Sequence, residues 1–304
     1  METKVKKTLR VEAVLLIIAL AAAIGLGALI MVCRPYFQEQ DPEVLVHENH
    51  INDAYTESAT EAPTEAAETE PEETTQPTIP PEANPYTKFD FQYNRNNFLL
   101  CQRHDSYPGI DVSAFQGKID WKQVAGSGVK FAIIRLGYRG YGKAGRMVED
   151  EYAQANLKGA REAGIAIGAY FFSQALSIQE VDEEIEFMLK ILGDTPLDMP
   201  IILDWEQVGV EGARTEVMDA RTLTDMQLHF CSVMEEKGYQ PMVYFNWSQS
   251  KRLLYLKELE AYPFWLALYQ DRMTYPYRVE MWQYTDKGRV PGIEGDVDIN
   301  VYMP

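Results

Sequence analysis

The chain has 304 residues and a formal net charge of −18, with 46 acidic residues against 28 basic ones. A chain this acidic lacks the basic surface that binds nucleic acid by charge, so nucleic acid is excluded as a partner. Its three cysteines and four histidines are too few for a cysteine framework or a histidine-rich metal site. We therefore expect no metal and no cofactor, while a disulfide between Cys101 and Cys231 stays open.

The N-terminal part contains an uninterrupted apolar run, AVLLIIALAAAIGLGALIMV, at residues 13–32. A run of this length is sufficient to cross a bilayer as a helix. Basic residues cluster before it and Arg34 alone closely follows it, which favours a cytoplasmic N-terminus. The sequence predicts a basic cytoplasmic tail at 1–12 and a transmembrane signal-anchor helix at 13–33. A cleaved signal peptide is the alternative.

The next segment, residues 34–104, is predicted to be a disordered linker. Between Arg34 and Lys88 there is no Lys or Arg, and the stretch ATEAPTEAAETEPEETTQPTIPPEANP is built from Glu, Thr, Pro and Ala. Such a segment buries too little apolar surface to offset the entropy lost on ordering. Its acids also repel one another and extend it.

Residues 105–304 are predicted to form one domain, because strand and helix patterns alternate there as in a parallel sheet with helices outside. Strands are expected at 108–113, 130–136, 165–172, 199–205, 241–245, 264–268, 280–284 and 298–301. Helices are expected at 119–124, 149–163, 178–192, 220–237 and 249–258. The fold class is thus α/β: a single TIM-like (β/α) barrel of eight strands with about five helices, of which the last third lacks covering helices.

The stretch MPIILDWE at 199–206 carries the chemistry. Side chains alternate along a strand, so Asp204 and Glu206 share one face and Trp205 lies on the other. Two carboxylates in one buried pocket raise one pKa, which leaves one acid protonated and one ionised, as glycosidic bond cleavage requires. The alternative from this stretch alone is a strand that ends in solvent with two ordinary acids.

Other strand ends add to this pair. Asp111 and Asp298 lie at or near predicted strand ends, and active sites of such barrels gather at the C-terminal ends of the strands. Aromatic residues occupy similar positions, namely Tyr170, Phe172, Trp265 and Trp282. Four acids are thus predicted to converge on one aromatic-lined opening of the barrel.

A set of eight short runs gives a resemblance to a known family. The runs are GIDVSAFQGKIDW (109–121), FAIIRLGY (131–138), GAYFF (168–172), DWE (204–206), MVYF (242–245), FWLALY (264–269), MWQYT (281–285) and GDVDIN (295–300). In this order they resemble the family 25 glycoside hydrolases, the Chalaropsis-type lysozymes or N-acetylmuramidases, over about 107–304. The resemblance implies hydrolysis of the β-1,4 bond between N-acetylmuramic acid and N-acetylglucosamine in peptidoglycan.

The resemblance also implies roles for single residues. Glu206 matches the general acid/base and Asp204 its partner carboxylate, while Asp111 and Asp298 match the remaining acids. Phe172 departs from the His-Phe often found in its motif. The candidate substrate-binding residues are Tyr170, Phe172, Tyr244, Trp265, Trp282, Gln283, Tyr284 and Arg135. For each aromatic residue the alternative is the barrel core, and for Arg135 it is an internal ion pair with an acid.

The expected partners are peptidoglycan glycan strands and, through the N-terminal helix, the lipid bilayer. We expect a monomer in the cell membrane, single-pass, with the catalytic domain outside the cell and facing the wall. One alternative is a catalytically silent domain that anchors the envelope by binding wall glycan, which a missing acid would indicate. A metal-dependent polysaccharide deacetylase is another, but it needs a His/Asp ligand set.

Overall fold

A computed structural model describes residues 80–304 of the protein. The strands are β1 Phe91–Tyr93, β2 Leu99–Cys101, β3 Tyr107–Val112, β4 Phe131–Arg139, β5 Met147–Glu149, β6 Ala166–Ser173, β7 Ile201–Trp205, β8 Pro241–Asn246, β9 Phe264–Ala267, β10 Met281–Gly288 and β11 Val297–Tyr302. The helices are α1 Trp121–Ser127, α2 Ala153–Glu162, α3 Ile178–Leu192, α4 Ala220–Glu236, α5 Trp247–Arg252 and α6 Leu256–Leu259, with a 3₁₀ helix at Ala114–Gln116.

Eight strands close into a barrel in the order β3-β11-β10-β9-β8-β7-β6-β4, and β4 pairs back onto β3. The eight-stranded barrel predicted from the sequence is therefore confirmed. Neighbouring strands are parallel from β3 through β4, β6, β7, β8 and β9 to β10. The short β5 pairs antiparallel with the end of β4.

The last strand departs from the parallel arrangement. β11 is antiparallel to β10 on one side and to β3 on the other. The connection from β10 to β11 spans only residues 289–296, which is shorter than the dozen or more residues that a parallel crossover needs. As a result, the beginning of β11 lies at the same barrel end as the C-termini of the parallel strands. We call this end the barrel mouth.

Local sequence signals explain the helix boundaries. Asp120 caps α1 through its side chain, as predicted, and Ser177 caps α3, whose bounds match the predicted ones. The helix predicted at 249–258 is divided into α5 and α6, because Leu253 and Tyr255 leave helical geometry between them. Only glycine fits at position 109 of β3. A Cβ there would overlap the ring of Phe131, which fills that space inside the barrel.

The predicted linker extends too far, since residues 80–104 are part of the folded unit. β1 and β2 form an antiparallel hairpin whose Phe91, Phe98 and Leu99 are buried in the main core. This hairpin packs on β10, where Phe91 meets the ring of Trp282 edge-on at 5.2 Å. Within residues 80–304, the chain forms no helix between β9 and β10. The hairpin covers the outer face of the barrel at this place.

The remaining N-terminal predictions fall outside the described residues. The basic tail, the transmembrane helix at 13–33 and the linker up to residue 79 all belong to that part of the chain. Among the residues that the structure describes, no helix is both long and apolar enough to cross a membrane. Cys101 and Cys231 are both buried and both free.

The hairpin yields a stability prediction. Phe91→Ala should lower the free energy of unfolding by about 3 kcal/mol or more, because it leaves a cavity against Trp282. Phe89→Ala is a matched control in the same segment, since Phe89 is 74% exposed, and it should change stability by less than about 0.5 kcal/mol. Urea unfolding of residues 80–304 measures both, and equal effects would contradict the packing role of β1.

Candidate active site at the barrel mouth

Asp204 and Glu206 lie at the mouth end of β7. Ile202, two residues earlier, belongs to the cluster inside the barrel, so strand alternation carries the following even-numbered side chains to the same side. Trp205 faces outward, where its indole N–H donates to the carbonyl of Ala175 at 2.8 Å. Both acids are largely buried, at 7% and 4% exposure.

Tyr244 of β8 connects this acid pair to the barrel interior. Its hydroxyl donates to Oε1 of Glu206 at 2.8 Å. Burial raises the pKa of Tyr244 well above its usual value, and the negative charges of Glu206 and Asp204 raise it further. The hydroxyl therefore stays protonated and remains a permanent donor to Glu206.

Uncharged amides fix the backbone around the acid pair. Gln249 donates to the carbonyl of Trp205 at 2.6 Å, and Gln174 donates to the carbonyl of Glu206 at 2.5 Å. Thr215 in turn donates to the side-chain oxygen of Gln174 at 2.8 Å. The end of β7 is thus held from two neighbouring elements, which limits movement of its carboxylates. Gln174 and Gln249 were not predicted, because single glutamines after a strand carry no distinctive pattern.

Asp111 and Asp298 meet across the β3–β11 ladder, where they are register partners. Oδ2 of Asp111 accepts hydrogen bonds from Gln283 at 2.9 Å and from Asn300 at 2.7 Å. Oδ1 of Asn300 accepts the indole N–H of Trp265 at 2.8 Å. Asn300 was not predicted, although it belongs to the GDVDIN run and lies two residues after Asp298 on the same strand face.

Tyr269 lies close to acids of both pairs. The sequence analysis did not predict it as a site residue. Its hydroxyl donates to Gln283 at 3.0 Å. Burial raises the pKa of Tyr269 well above its usual value, and the charges of Asp298, Glu206 and Asp111 add to this. The alternation from Trp265 through Ala267 to Tyr269 would have placed it on the interior face. We call Asp111, Asp204, Glu206 and Asp298, together with the space between them, the acid cleft.

Several predicted substrate-binding residues do lie on the interior side. Tyr170, Tyr244 and Trp265 belong to the interior cluster, and the rings of Tyr244 and Trp265 meet edge-on at 4.8 Å. Phe172, the register partner of Asp204, packs in a small cluster with Val208 and Ala213. These positions agree with a sugar site, and the roles of the residues stay predictions.

Trp282 and Tyr284 do not lie in the acid cleft, so the prediction for them is wrong. Both point to the outer face of β10, opposite to Gln283, and belong to the main core under the hairpin. The indole of Trp282 donates to the carbonyl of Leu268, and the hydroxyl of Tyr284 accepts the N–H of Leu99. Successive side chains on a strand face opposite sides, and Gln283 faces the interior, so Trp282 and Tyr284 face outward.

Arg135 forms an internal ion pair with an acid, which was the alternative to its predicted role in substrate binding. Its Nε donates to Asp150 at 2.9 Å in a buried ion pair, and Asp150 also accepts the N–H of Ala114 just after β3. The guanidinium lies 4.9 Å from the ring of Phe115. Arg135 therefore joins the segment after β3 to the loop that precedes α2.

The arrangement has the groups that acid/base chemistry on a glycosidic bond requires. Buried carboxylates with separate hydrogen-bond partners at one barrel mouth can take different protonation states. Interior aromatic rings beside them offer flat surfaces for sugar faces. The sequence prediction that these acids come together is consistent with the register and the hydrogen bonds.

Comparison with known proteins agrees with this geometry. The family described as glycosyl hydrolases family 25 matches residues 110–293. The uncharacterized protein YegX of Escherichia coli O6:H1 is 30% identical over 211 residues, covering 64% of this chain and 68% of YegX. Lysozyme M1 of Streptomyces globisporus is 27% identical over 204 residues, covering 64% of this chain and 67% of that enzyme.

A solved structure shows the same fold. The modular autolysin LytC of Streptococcus pneumoniae, in complex with a synthetic peptidoglycan ligand, has a TM-score of 0.57 and 25% identity. The match covers 74% of this chain and 52% of LytC. The chain thus spans about two thirds of the curated relatives and about half of the autolysin. The matched residues include the whole acid cleft except Asp298, and the chain belongs to family 25 of the glycosyl hydrolases.

Proposed function

We propose that the barrel hydrolyses peptidoglycan by cleaving the β-1,4 bond between N-acetylmuramic acid and N-acetylglucosamine. The observation that carries the proposal is the meeting of four acids at one barrel mouth beside interior aromatic rings. Lysozyme M1 and the peptidoglycan-bound autolysin LytC support it as relatives. Membership of a glycosyl hydrolase family supports an enzyme over a binding domain.

In the proposed mechanism Glu206 is the general acid/base. It is 4% exposed, so burial favours its neutral form, and it can give its proton to the leaving oxygen. The hydroxyl of Tyr244 fixes one carboxyl oxygen of Glu206. Once the proton has left, the same hydrogen bond stabilises the carboxylate that forms.

Asp204 is the assisting carboxylate, which supports the positive charge that grows on the sugar. Two routes remain open. Asp204 attacks directly if the two carboxyl groups are about 5–5.5 Å apart. Otherwise the N-acetyl group of the substrate attacks, and Asp204 orients it. One carboxylate oxygen of Asp111 accepts hydrogen bonds from the side-chain amides of Gln283 and Asn300. This suits a residue that positions neighbouring side chains of the acid cleft.

The alternative is a silent domain that binds wall glycan without cleaving it. No acid of the predicted set is replaced in the sequence, which favours the enzyme. If the purified protein retains insoluble peptidoglycan but releases no soluble fragments, the binding role replaces the hydrolase proposal.

We also propose that the enzyme acts from the cell membrane, anchored by residues 13–33 with its N-terminus in the cytoplasm. The support is the apolar run and the basic residues before it. The folded domain would then face the wall on an acidic spacer. Full-length protein should stay with membranes after an alkaline wash, whereas a chain lacking residues 1–37 should not. A mature protein in the medium that begins beyond residue 25 would contradict the anchor.

The mutation that tests the mechanism is Glu206→Gln. We expect fragment release from purified peptidoglycan to fall by about 100-fold or more, since the general acid is lost. Glu211→Gln is the control, because Glu211 is an exposed acid in the same loop, and it should keep full activity. Near-normal release by Glu206→Gln would refute the assignment.

A second mutation tests the hydrogen bond from Tyr244. Tyr244→Phe removes a donor that stabilises ionised Glu206, so the pKa of Glu206 should rise. The alkaline limb of the kcat/KM profile should therefore move up by about one pH unit. Tyr93→Phe, at an exposed ring of the hairpin, should leave the profile in place. A downward shift for Tyr244→Phe would contradict the proposed proton donor.

A further inference from the structure

A groove lies directly beside the acid cleft. It has a volume of about 430 Å³ and is bounded by the start of α5 on one side and by the segment after β9 on the other. The lining residues that matter for the argument are Trp247, Lys251, Arg252, Leu268, Tyr269 and Gln270. We call this space the α5 groove.

The α5 groove and the acid cleft share a wall. Tyr269 lines the groove, and its hydroxyl binds Gln283, which in turn binds Asp111. Asn246, which also borders the groove, lies two residues after Tyr244 on β8. A ligand branch that leaves the acid cleft past Tyr269 would therefore enter the groove.

The charge of the groove is opposite to that of the cleft. Among the described residues that line the groove there are two cations, Lys251 and Arg252, and no Asp or Glu. This contrast occurs in a chain with a net charge of −18. A ligand part that carries carboxylates is repelled by the acid cleft and attracted to the groove.

The groove holds its cations over apolar surface. Nζ of Lys251 lies 4.2 Å from the ring centroid of Trp247, which orients the ammonium while its N–H groups stay able to donate. The guanidinium of Arg252 donates to the hydroxyl of Ser248. Trp247 and Leu268 add apolar wall area for the body of a ligand.

We propose that the α5 groove binds the anionic peptide branch of the substrate, with Lys251 and Arg252 receiving its carboxylates. This inference rests on the proposed function. In peptidoglycan the sugar hydroxyls and N-acetyl groups are neutral, whereas the peptide carried by the lactyl group of muramic acid has free carboxylates. The groove would thus select glycan whose muramic acid still carries its peptide.

The experiment compares two substrates. One is purified peptidoglycan, and the other is the same material after an amidase has hydrolysed the amide bond to each peptide, which leaves the lactyl carboxylate on muramic acid in place of the peptide and its carboxylates. The ratio of kcat/KM on the first to kcat/KM on the second is measured for the wild-type protein, Lys251→Glu and Arg252→Glu. We expect each reversal of charge to lower this ratio by about tenfold, since a charge-assisted hydrogen bond becomes a repulsion.

Lys158→Glu is the matched control, because Lys158 is an exposed lysine on α2, and it should keep the wild-type ratio. The wild-type ratio should also fall at high salt, where exposed charges are screened. A helix-stabilising role of Lys251 and Arg252 alone would lower the melting temperature of the variants without changing the ratio. An unchanged ratio in both folded variants would overturn the inference, whereas no turnover of either substrate by wild-type protein would overturn the proposed function itself.

Discussion

The alternation of side chains along β7 is the constraint on which the acid cleft depends. Ile202 fills the barrel interior, so Asp204 and Glu206 are carried to the mouth on the same side, and Trp205 is turned into the layer outside the barrel. A shift of one residue would exchange these positions and bury the acids against α-helices. The indole of Trp205, bonded to Ala175, and the amides of Gln174 and Gln249 oppose such a shift.

The antiparallel course of β11 completes the site. Asp298 lies near the beginning of β11, whereas Asp111 is near the end of β3, and only an antiparallel pairing makes them register partners at the mouth. The same pairing brings Asn300 within hydrogen-bonding distance of Asp111. Asp111, Gln283, Tyr269, Asn300 and Trp265 then form one bonded network. Trp265 meets Tyr244, the donor to Glu206, so the two acid pairs are connected through packed aromatic rings.

The sequence predicted the eight-stranded barrel and placed Asp111, Asp204, Glu206 and Asp298 at or near strand ends, because strand periodicity and strand ends are local signals. It did not predict the direction of β11, because alternating strand and helix patterns indicate parallel strands and only the short connection at 289–296 indicates an antiparallel one. It also missed the hairpin at residues 91–101, whose strands have three residues each and lie in a polar stretch. Their burial depends on the uncovered face of β10, which no local pattern reveals.

The error at Trp282 and Tyr284 has a different cause. Both are aromatic and lie next to Gln283, so residue type alone suggested a sugar site, yet strand parity places them outside when Gln283 lies inside. The same alternation could have predicted two missed residues. Tyr269 lies four residues after Trp265 and Asn300 two residues after Asp298, so each faces the same side as its predicted neighbour. Gln174 and Gln249 could not be predicted in this way, because their roles come from tertiary contacts with the end of β7.

The central claim is that the acid cleft is the centre of an N-acetylmuramidase. Reducing-end analysis of purified peptidoglycan digested by the protein tests it most directly. The account predicts new reducing ends of N-acetylmuramic acid, formed by the wild-type protein and absent with Glu206→Gln. New reducing ends of N-acetylglucosamine, or muramic acid ends that persist in Glu206→Gln, would contradict it.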